Sequence, residues 1–506
     1  MRLLPLTTIL AGAAALRFLA LDFGRGVPLV RPDELGIGAA LGWVWGGPVL
    51  PTLFLYGGGY YIPLWLFVGV VHGGHWPSSI TDPLTIDPLP FIHAARLWSA
   101  LVSTATVGLT YAAGVRVGGR AAGLIAAALV AVSPLAVREA HFAKADSAAA
   151  CAGAVLALAL AWRWTPGTRR AAVLGAVGAL VMSTKACVGF LPAVAIALAC
   201  PPGTSGRRID LRSLLLGGAT LVAVVLALNP RLLAHLAALR QAALLGRFGL
   251  AAWLPGHDVV PSPLHYHVGL SLRHGCGLGF TLLAGPALAW ALLVPGAPRL
   301  LALAILGYGA TLLASPMMLA RYVLPMIPAL AVLVAAMVIA ATDRLGRARL
   351  PVVLGVAVLL LFEPLAGSVG LVERLERDDT RALAAEWIAA HVPADARLVS
   401  WGAPSVATDY GATPAGGRRV FTGLPPGRWR AEAVGFVVVH DYPLPYSSVP
   451  LPASTPALER VAVFDPFSGP LNDPVLEPLD AFYLPLAHFT GIVRPGPRIT
   501  IYALQP

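Results

Sequence analysis

The chain has 506 residues, 57% of them hydrophobic and 12% charged, with a formal net charge of +11. A soluble domain carries about 25% charged residues, so a single soluble domain and a disordered chain are both excluded, and a polytopic membrane protein remains. The positive balance is not a nucleic-acid signal, because the charges sit between apolar segments, where Lys and Arg set topology or hold anionic lipid. Four cysteines (Cys151, Cys187, Cys200 and Cys276) lie in or beside apolar runs and form neither a metal spacing nor a disulfide framework.

Met1-Arg2 opens an apolar run that reaches Leu21. Ala11 to Ala15 gives it the small-residue stretch of a signal peptide. Arg17, however, interrupts the cleavage zone, and Phe18-Leu19-Ala20-Leu21 stays apolar, so an uncleaved first span is predicted. From Asp22 to about Pro90 the chain is polar and aromatic, apart from one apolar piece, Tyr61 to Val71. That piece is too short for the roughly 20 residues a crossing helix needs. It reads as a re-entrant or interfacial helix with His72 and His75 at its end. Apolar segments follow at about 92–114, 120–137, 146–163, 170–184, 186–200, 212–229, 276–294, 299–314, 321–341 and 350–367, which brings the expected spans to about eleven.

With the N-terminus in the cytoplasm, the inner connections hold Arg116, Arg120, Arg163, Arg169, Arg170, Arg207, Arg208, Arg212, Arg299, Arg344, Arg347 and Arg349, against Asp210 and Asp343. This fits the positive-inside rule. The same parity puts Asp22, Asp33, Glu34, Asp82, Asp87, Glu139, Asp146, Asp258, Glu363 and the chain's two lysines, Lys144 and Lys185, on the outer face.

Past residue 368 acids become frequent and apolar runs shorten. Thr380 to His391 has a helical pattern, and Arg397–Trp401, Phe436–His440, Arg460–Phe464 and Arg498–Leu504 read as strands between Pro- and Gly-rich turns. The expected organisation is a transmembrane domain over 1–367, with a long first outer loop (22–91), and an α/β or α+β extracytoplasmic domain over 368–506.

Five places offer chemistry. Arg31-Pro32-Asp33-Glu34 sets two carboxylates at the membrane surface, where acids are costly without a use; helix-start chemistry is the structural alternative. Arg138-Glu139-Ala140-His141-Phe142-Ala143-Lys144-Ala145-Asp146 crowds five titratable groups between two spans, on the face that also holds Asp33; a solvated loop with Asp146 capping the next helix is the alternative. Ser183-Thr184-Lys185 places a lysine between two short spans, either snorkelling or binding phosphate. Arg321-Tyr322, at the start of an outer-facing span, reads as an interfacial anchor or a second cation, and Arg96 has the same two readings. The loop from Arg231 to Arg273 carries His257, His265 and His267, whose spacing fits an amphipathic interfacial helix better than a metal site.

The order of these motifs resembles a known family. An Asp-Glu pair follows the first span. Tyr60-Tyr61-Ile62-Pro63-Leu64-Trp65, Arg96-Leu97-Trp98-Ser99, Gly118-Gly119-Arg120, Ser133-Pro134-Leu135, His141 to Asp146, Ser183-Thr184-Lys185 and Arg321-Tyr322-Val323-Leu324-Pro325 come after it in turn. The chain closes on Phe482-Tyr483-Leu484-Pro485 and Arg494 to Tyr502. The whole resembles the membrane-embedded GT-C glycosyltransferases, the dolichyl-phosphate-mannose protein mannosyltransferase and aminoarabinose transferase group, in particular its bacterial members. Each motif is short; the shared order, over nearly the whole chain, is the stronger sign.

The resemblance implies a multi-pass protein of the bacterial inner (plasma) membrane that moves a sugar from a polyprenyl phosphate to an acceptor glycan, lipid or protein on the outer face. It makes Asp33 the catalytic base, with Glu34 and Asp146 as the other catalytic carboxylates. Leu35-Gly36-Ile37-Gly38 stands where a Tyr is common, and Ile62-Pro63-Leu64 where Pro-Pro-Leu is common, without the frequent preceding Lys. The donor phosphate is therefore assigned to Lys185, Lys144, Arg321 and Arg138, and substrate positioning to Tyr60, Tyr61 and His141. Physically, inverting transfer needs a carboxylate to take the acceptor proton. Its phosphate leaving group needs cations as charge develops, and no general acid. No cofactor and no nucleic-acid partner is implied; a divalent metal is left open. A transporter or flippase of lipid-linked saccharides is the alternative class, but it would favour internal repeats and broken helices at the midplane, and the sequence has no repeat.

Overall fold

The computed structural model describes residues 4–24, 34, 56–75, 89–162, 164–200, 209–230, 240, 262–402, 418–444, 448–478 and 483–505. The chain divides into two compact units. One comprises Met1–Leu19, Gly36–Ala252 and Pro261–Ser368; the other comprises Ala20–Leu35, Trp253–Val260 and Val369–Pro506.

The first unit is helical. In order it holds α1 (Leu4–Phe18), α2 (Gly58–Val71), α3 (Leu89–Ala131), α4 (Pro134–Ala140), α5 (Asp146–Ala161), α6 (Thr168–Lys185), α7 (Leu191–Ala199) and α8 (Leu211–Leu228). A π-helical run (Tyr266–Leu272), α9 (Leu278–Leu293), α10 (Ala297–Leu313), a 3-10 segment (Ala320–Met326), α11 (Ile327–Thr342) and α12 (Arg349–Leu375) follow, and the division between units falls within α12. The core sits at α11, which is buried along almost its whole length and packs against α3. Small residues let the helices approach closely. A Cβ on Gly175 of α6 would overlap the Gly217 carbonyl of α8.

The expected spans at 92–114 and 120–137 meet in the single run α3, bent at Gly119, whose φ of +80° is open to glycine. The helix stops at Ala131, short of the expected 137. Pro134 is the reason: it cannot continue the preceding helix, and Ser133 before it turns extended and caps α4, accepting from the Ala136 N–H at 3.3 Å. Residues 134–140, expected in part as an outer loop, therefore form a separate buried helix.

Among the described residues three helical stretches are long and apolar enough to cross a membrane: Leu89–Ala131, Leu211–Leu228 and the joined run Ala320–His391, with six shorter apolar helices beside them. Tyr61–Val71 lies inside one of these, α2, which contains Pro63. Large apolar side chains face outward along α8 (Leu215, Val222) and α12 (Leu354, Val358, Leu359, Phe362). Such a surface is costly in water and at home in lipid; these are the helices of an integral membrane protein.

The second unit contains α13 (Thr380–His391) and a five-stranded mixed sheet of β1 (Arg397–Trp401), β2 (Arg419–Thr422), β3 (Val434–Asp441), β4 (Leu458–Phe464) and β5 (Arg498–Leu504) in the order β2-β1-β3-β5-β4. β1 runs parallel to β2 and β3, while β5 is antiparallel to β3 and β4. β2 was not among the expected strands. Its four residues alternate too weakly to stand out, and parallel pairing with Arg397–Ser400 is what orders it. The Thr380 N–H and Oγ1 donate to the Pro495 and Pro497 carbonyls at 3.0 and 2.6 Å, tying the closing motif of the chain to the start of α13.

Candidate active site

Asp146 is the first residue of α5, and its side chain has no solvent exposure. Lys185, the last residue of α6, donates from Nζ to Asp146 Oδ1. The Arg321 Nε lies 3.7 Å from Oδ2, and Lys144 adds a third positive field at the same carboxylate. Three cations thus surround one buried anion. α5 and α6 are neighbours running in opposite directions, so the start of one and the end of the other meet at the same end of the helix pack.

The end of α6 is held by contacts distant in sequence. Ala186, in the left-handed region at φ 48°, ends the helix directly after Lys185. Asn229, just past α8, donates from Nδ2 to Ser183 Oγ at 3.0 Å and accepts from the Gly58 N–H at 3.0 Å. The chain at Gly57-Gly58-Gly59 runs directly against this corner. A Cβ on Gly57 or Gly58 would overlap the carbonyl oxygen of Ser183 or Leu228. Tyr60 and Tyr61 follow at the start of α2, both buried, with ring centroids 5.3 Å apart. They share a core cluster with Ala143 and Ala145, the residues that bracket Lys144.

Arg321 is fixed by the packing of its 3-10 segment against α5, where a Cβ on Gly153 would overlap the Pro325 carbonyl. Its neighbour Tyr322 offers its ring to Lys185, whose Nζ stands 4.6 Å from the centroid. The Tyr322 carbonyl in turn accepts from Tyr308 Oη at 2.9 Å, and Tyr308 stacks on Phe190 with centroids 4.5 Å apart. Sequence reasoning missed Asn229, Tyr308 and the glycine triplet as parts of this corner. Only the run of three glycines was a signal for close backbone approach.

The other expected residues are placed as follows. Arg138 and Glu139 are both buried on α4, and Ser147 Oγ donates to the Glu139 carbonyl at 3.1 Å. Lys144 is buried in the turn before α5. His141 faces two backbone carbonyls, with Nδ1 2.8 Å from the Val137 oxygen and Nε2 2.8 Å from the Leu19 oxygen, so its ring links the end of α1 to α4. Arg96 is buried on α3. Asp33 lies outside the described residues; Glu34 is buried within the second unit. His265 is exposed and His267 buried against Ser271, and His257 is outside the described residues. Among the described residues no three His, Cys, Asp or Glu side chains gather as metal ligands would.

Asp146 engages both Lys185 and Arg321. It is poorly suited to act as a base itself, because taking up a proton would undo its ion pairs.

No protein-family model matches the sequence, and no curated protein matches it. Solved structures do. ArnT from Cupriavidus metallidurans bound to undecaprenyl phosphate is 16% identical, over 82% of this chain and 85% of that one, with a TM-score of 0.51. ArnT in the apo state is 15% identical, over 86% of this chain and 92% of that one, with a TM-score of 0.51. The Archaeoglobus fulgidus oligosaccharyltransferase in complex with Zn and sulfate is 14% identical, over 86% of this chain and 67% of that one, with a TM-score of 0.51. At these identities what is shared is the fold.

Proposed function

From the GT-C fold of this chain, we propose that it is an inverting membrane glycosyltransferase that takes a sugar from a polyprenyl-phosphate donor and passes it to an acceptor on the outer face of a bacterial inner membrane. Residues 368–506 form its extracytoplasmic domain in this reading.

The observation that carries the proposal is the buried Asp146–Lys185–Arg321 cluster. Transfer from a lipid phosphate builds negative charge on the departing phosphate oxygen, and preorganised cations lower that barrier without reorganising. Lys185 and Arg321 supply them, with Lys144 and Arg138 close in sequence to Asp146. Asp146 holds the cations and Asp33 takes the acceptor proton, a division that follows because Asp146 is already engaged. Tyr60 and Tyr61 shape the donor and acceptor surroundings. The likeness to a protein solved with undecaprenyl phosphate bound supports a donor of that lipid class.

The test is incubation of the purified protein with a panel of polyprenyl-phosphate sugars, scoring free lipid phosphate. Wild type should release it. Asp33→Asn should lose at least about 100-fold in rate, within the range expected for removal of a general base, while eluting as a folded monodisperse species. Turnover by Asp33→Asn at the wild-type rate would remove Asp33 from the base role. No release from any donor by wild type would sink the transferase reading.

A further inference from the structure

α5 and α6 have a second shared end. Asp146 and Lys185 stand at one; the end of α5 (Ala161) and the start of α6 (Thr168) make the other, about 24 Å away along a helix of 16 residues. At that far end the first unit has a half-open cavity of about 860 Å³. Three arginines line it, Arg116, Arg170 and Arg299, together with Trp162 and Trp164, and no Asp or Glu is among the described lining residues.

Arg170 is buried, while Arg116 and Arg299 are exposed and held by contacts of their own. The Arg116 guanidinium lies 3.8 Å from the centroid of the Trp162 ring, which holds it flat while leaving its in-plane N–H groups available. Arg299 Nε donates to the Leu292 carbonyl at 2.8 Å, fixing the turn that leads into α10, and the first residues of α10 line the cavity beside it. Arg170 is only 3% exposed. Its Nη2 donates to the Ala197 carbonyl, while its Nη1 is buried with no hydrogen-bond partner among the described residues. Asp210 is the acidic group that acts on it, and Asp210 is already occupied in capping α8 through the Ser213 N–H and Oγ. A buried guanidinium donor without an acceptor is costly, and an anionic ligand oxygen would relieve that cost. The remaining walls are apolar, including Leu174, Ile196 and Leu303.

Cations, an aromatic pair and aliphatic walls lining one cavity suit an amphiphile that carries a phosphate. We propose that this cavity binds the phosphate headgroup of an anionic phospholipid in the leaflet opposite the Asp146 corner, with Arg170 and Arg116 on the phosphate and the aliphatic wall along the acyl chains. The positive-inside reading makes that the cytoplasmic leaflet, where anionic headgroups and basic pockets between helices meet. The inference does not depend on the transfer reaction, since no residue of the Asp146 corner takes part.

The experiment is native mass spectrometry of the full chain released from mild detergent. Phosphatidylglycerol, phosphatidylcholine and inorganic phosphate are added in separate arms, and the last is also added as a competitor. Wild type should retain phosphatidylglycerol over phosphatidylcholine. Arg170→Gln and Arg116→Gln should each lower that retention about fivefold, the value of one cation at a lipid phosphate. Arg347→Gln, an exposed arginine outside the cavity, should leave it unchanged. If Arg170→Gln fails to fold, Arg116→Gln and Trp162→Ala carry the comparison. Equal retention in the cavity variants and wild type overturns the proposal, as does an equal drop in Arg347→Gln. Displacement of the lipid by inorganic phosphate at millimolar concentration would assign the arginines to a small free anion and also overturn it.

Discussion

The Asp146–Lys185 pair can be tested by a double-mutant cycle. Asp146 is fully buried, and the Lys185 side chain is 10% exposed. With an effective dielectric near 20, a charge at the 3.7 Å separation seen for Arg321 attracts the carboxylate by about 4–5 kcal/mol before desolvation. Lys185 is closer still. Breaking a buried pair by removing one partner costs about 3–5 kcal/mol, because the other charge stays behind uncompensated. Lys185→Met leaves Arg321 on Asp146 and so belongs at the lower end, about 3 kcal/mol. Asp146→Asn removes the charge that both Lys185 and Arg321 meet and should cost as much or more. The double variant removes both the pair and the stranded charge, so its cost should fall below the sum of the singles by about 2 kcal/mol, within the range for residues in direct contact. Unfolding in mixed SDS micelles, followed by tryptophan fluorescence, supplies the four free energies. Lipid-phosphate release on the same preparations should be lost in all three variants. Additivity within about 0.5 kcal/mol would mean that the two groups do not sense each other, and the site drawn around them would have to be abandoned.

Further predictions concern the supports of the site and the second unit. Gly58→Ala would drive a methyl into the Leu228 carbonyl and push α2 off Asn229; fluorescence-detected size exclusion should show a lower melting temperature, whereas Gly108→Ala, with its nearest atom 4.0 Å away, should behave as wild type. In the second unit, burial against β-sheet neighbours lowers the His440 pKa to about 4. The unfolded chain, with an ordinary value near 6.5, therefore binds more protons between those limits. Stability is full above about pH 6.5 and declines as pH falls through 4, by about 3 kcal/mol in total. Protection factors over Val434–Asp441 in the intact protein, with exchange rates corrected for their intrinsic pH dependence, should fall as pH drops across that window, and His440→Phe should flatten the dependence. An unchanged slope in that variant would assign the effect to another group.

Some of this arrangement was legible because helical topology forces it. Counting apolar segments and asking which connections carry Arg puts Asp146, Lys185 and Arg321 on one face, and the structure brings those three side chains together. The turn at Gly118-Gly119-Arg120 was readable because glycine punctuates a helical pattern. The strands at 397–401 and 498–504 were readable from alternation over enough residues. What the sequence hid depends on long-range fit. Asn229 sits 171 positions from Gly58 and 46 from Ser183, and a single Asn at the end of an apolar helix looks like any C-cap. Residues 132–137 look like continuous span by hydropathy, yet Pro134 makes the break that lets Ser133 reach the Gly275 carbonyl at 2.7 Å.

The helix ends also explain why the cations of the site are distributed as they are. A lysine in mid-bilayer would face a large desolvation cost, so a cation with the proposed phosphate-binding role has to sit where a helix stops. Lys185 does so because Ala186 adopts the left-handed conformation immediately after it. Asp146 is the complementary case, a carboxylate at a helix start, where unpaired N–H groups favour negative charge. Lys185→Arg separates the two requirements. It preserves charge and helix end but replaces a compact ammonium with a wider planar guanidinium in a corner already bounded by Tyr322 and the Ser183–Asn229–Gly58 contacts. The expected result is near-wild-type thermal stability with lipid-phosphate release reduced about tenfold or more, because a bidentate fork does not reproduce a point charge. Full activity in that variant would show that the corner needs only net charge, and the geometric part of the argument would fail.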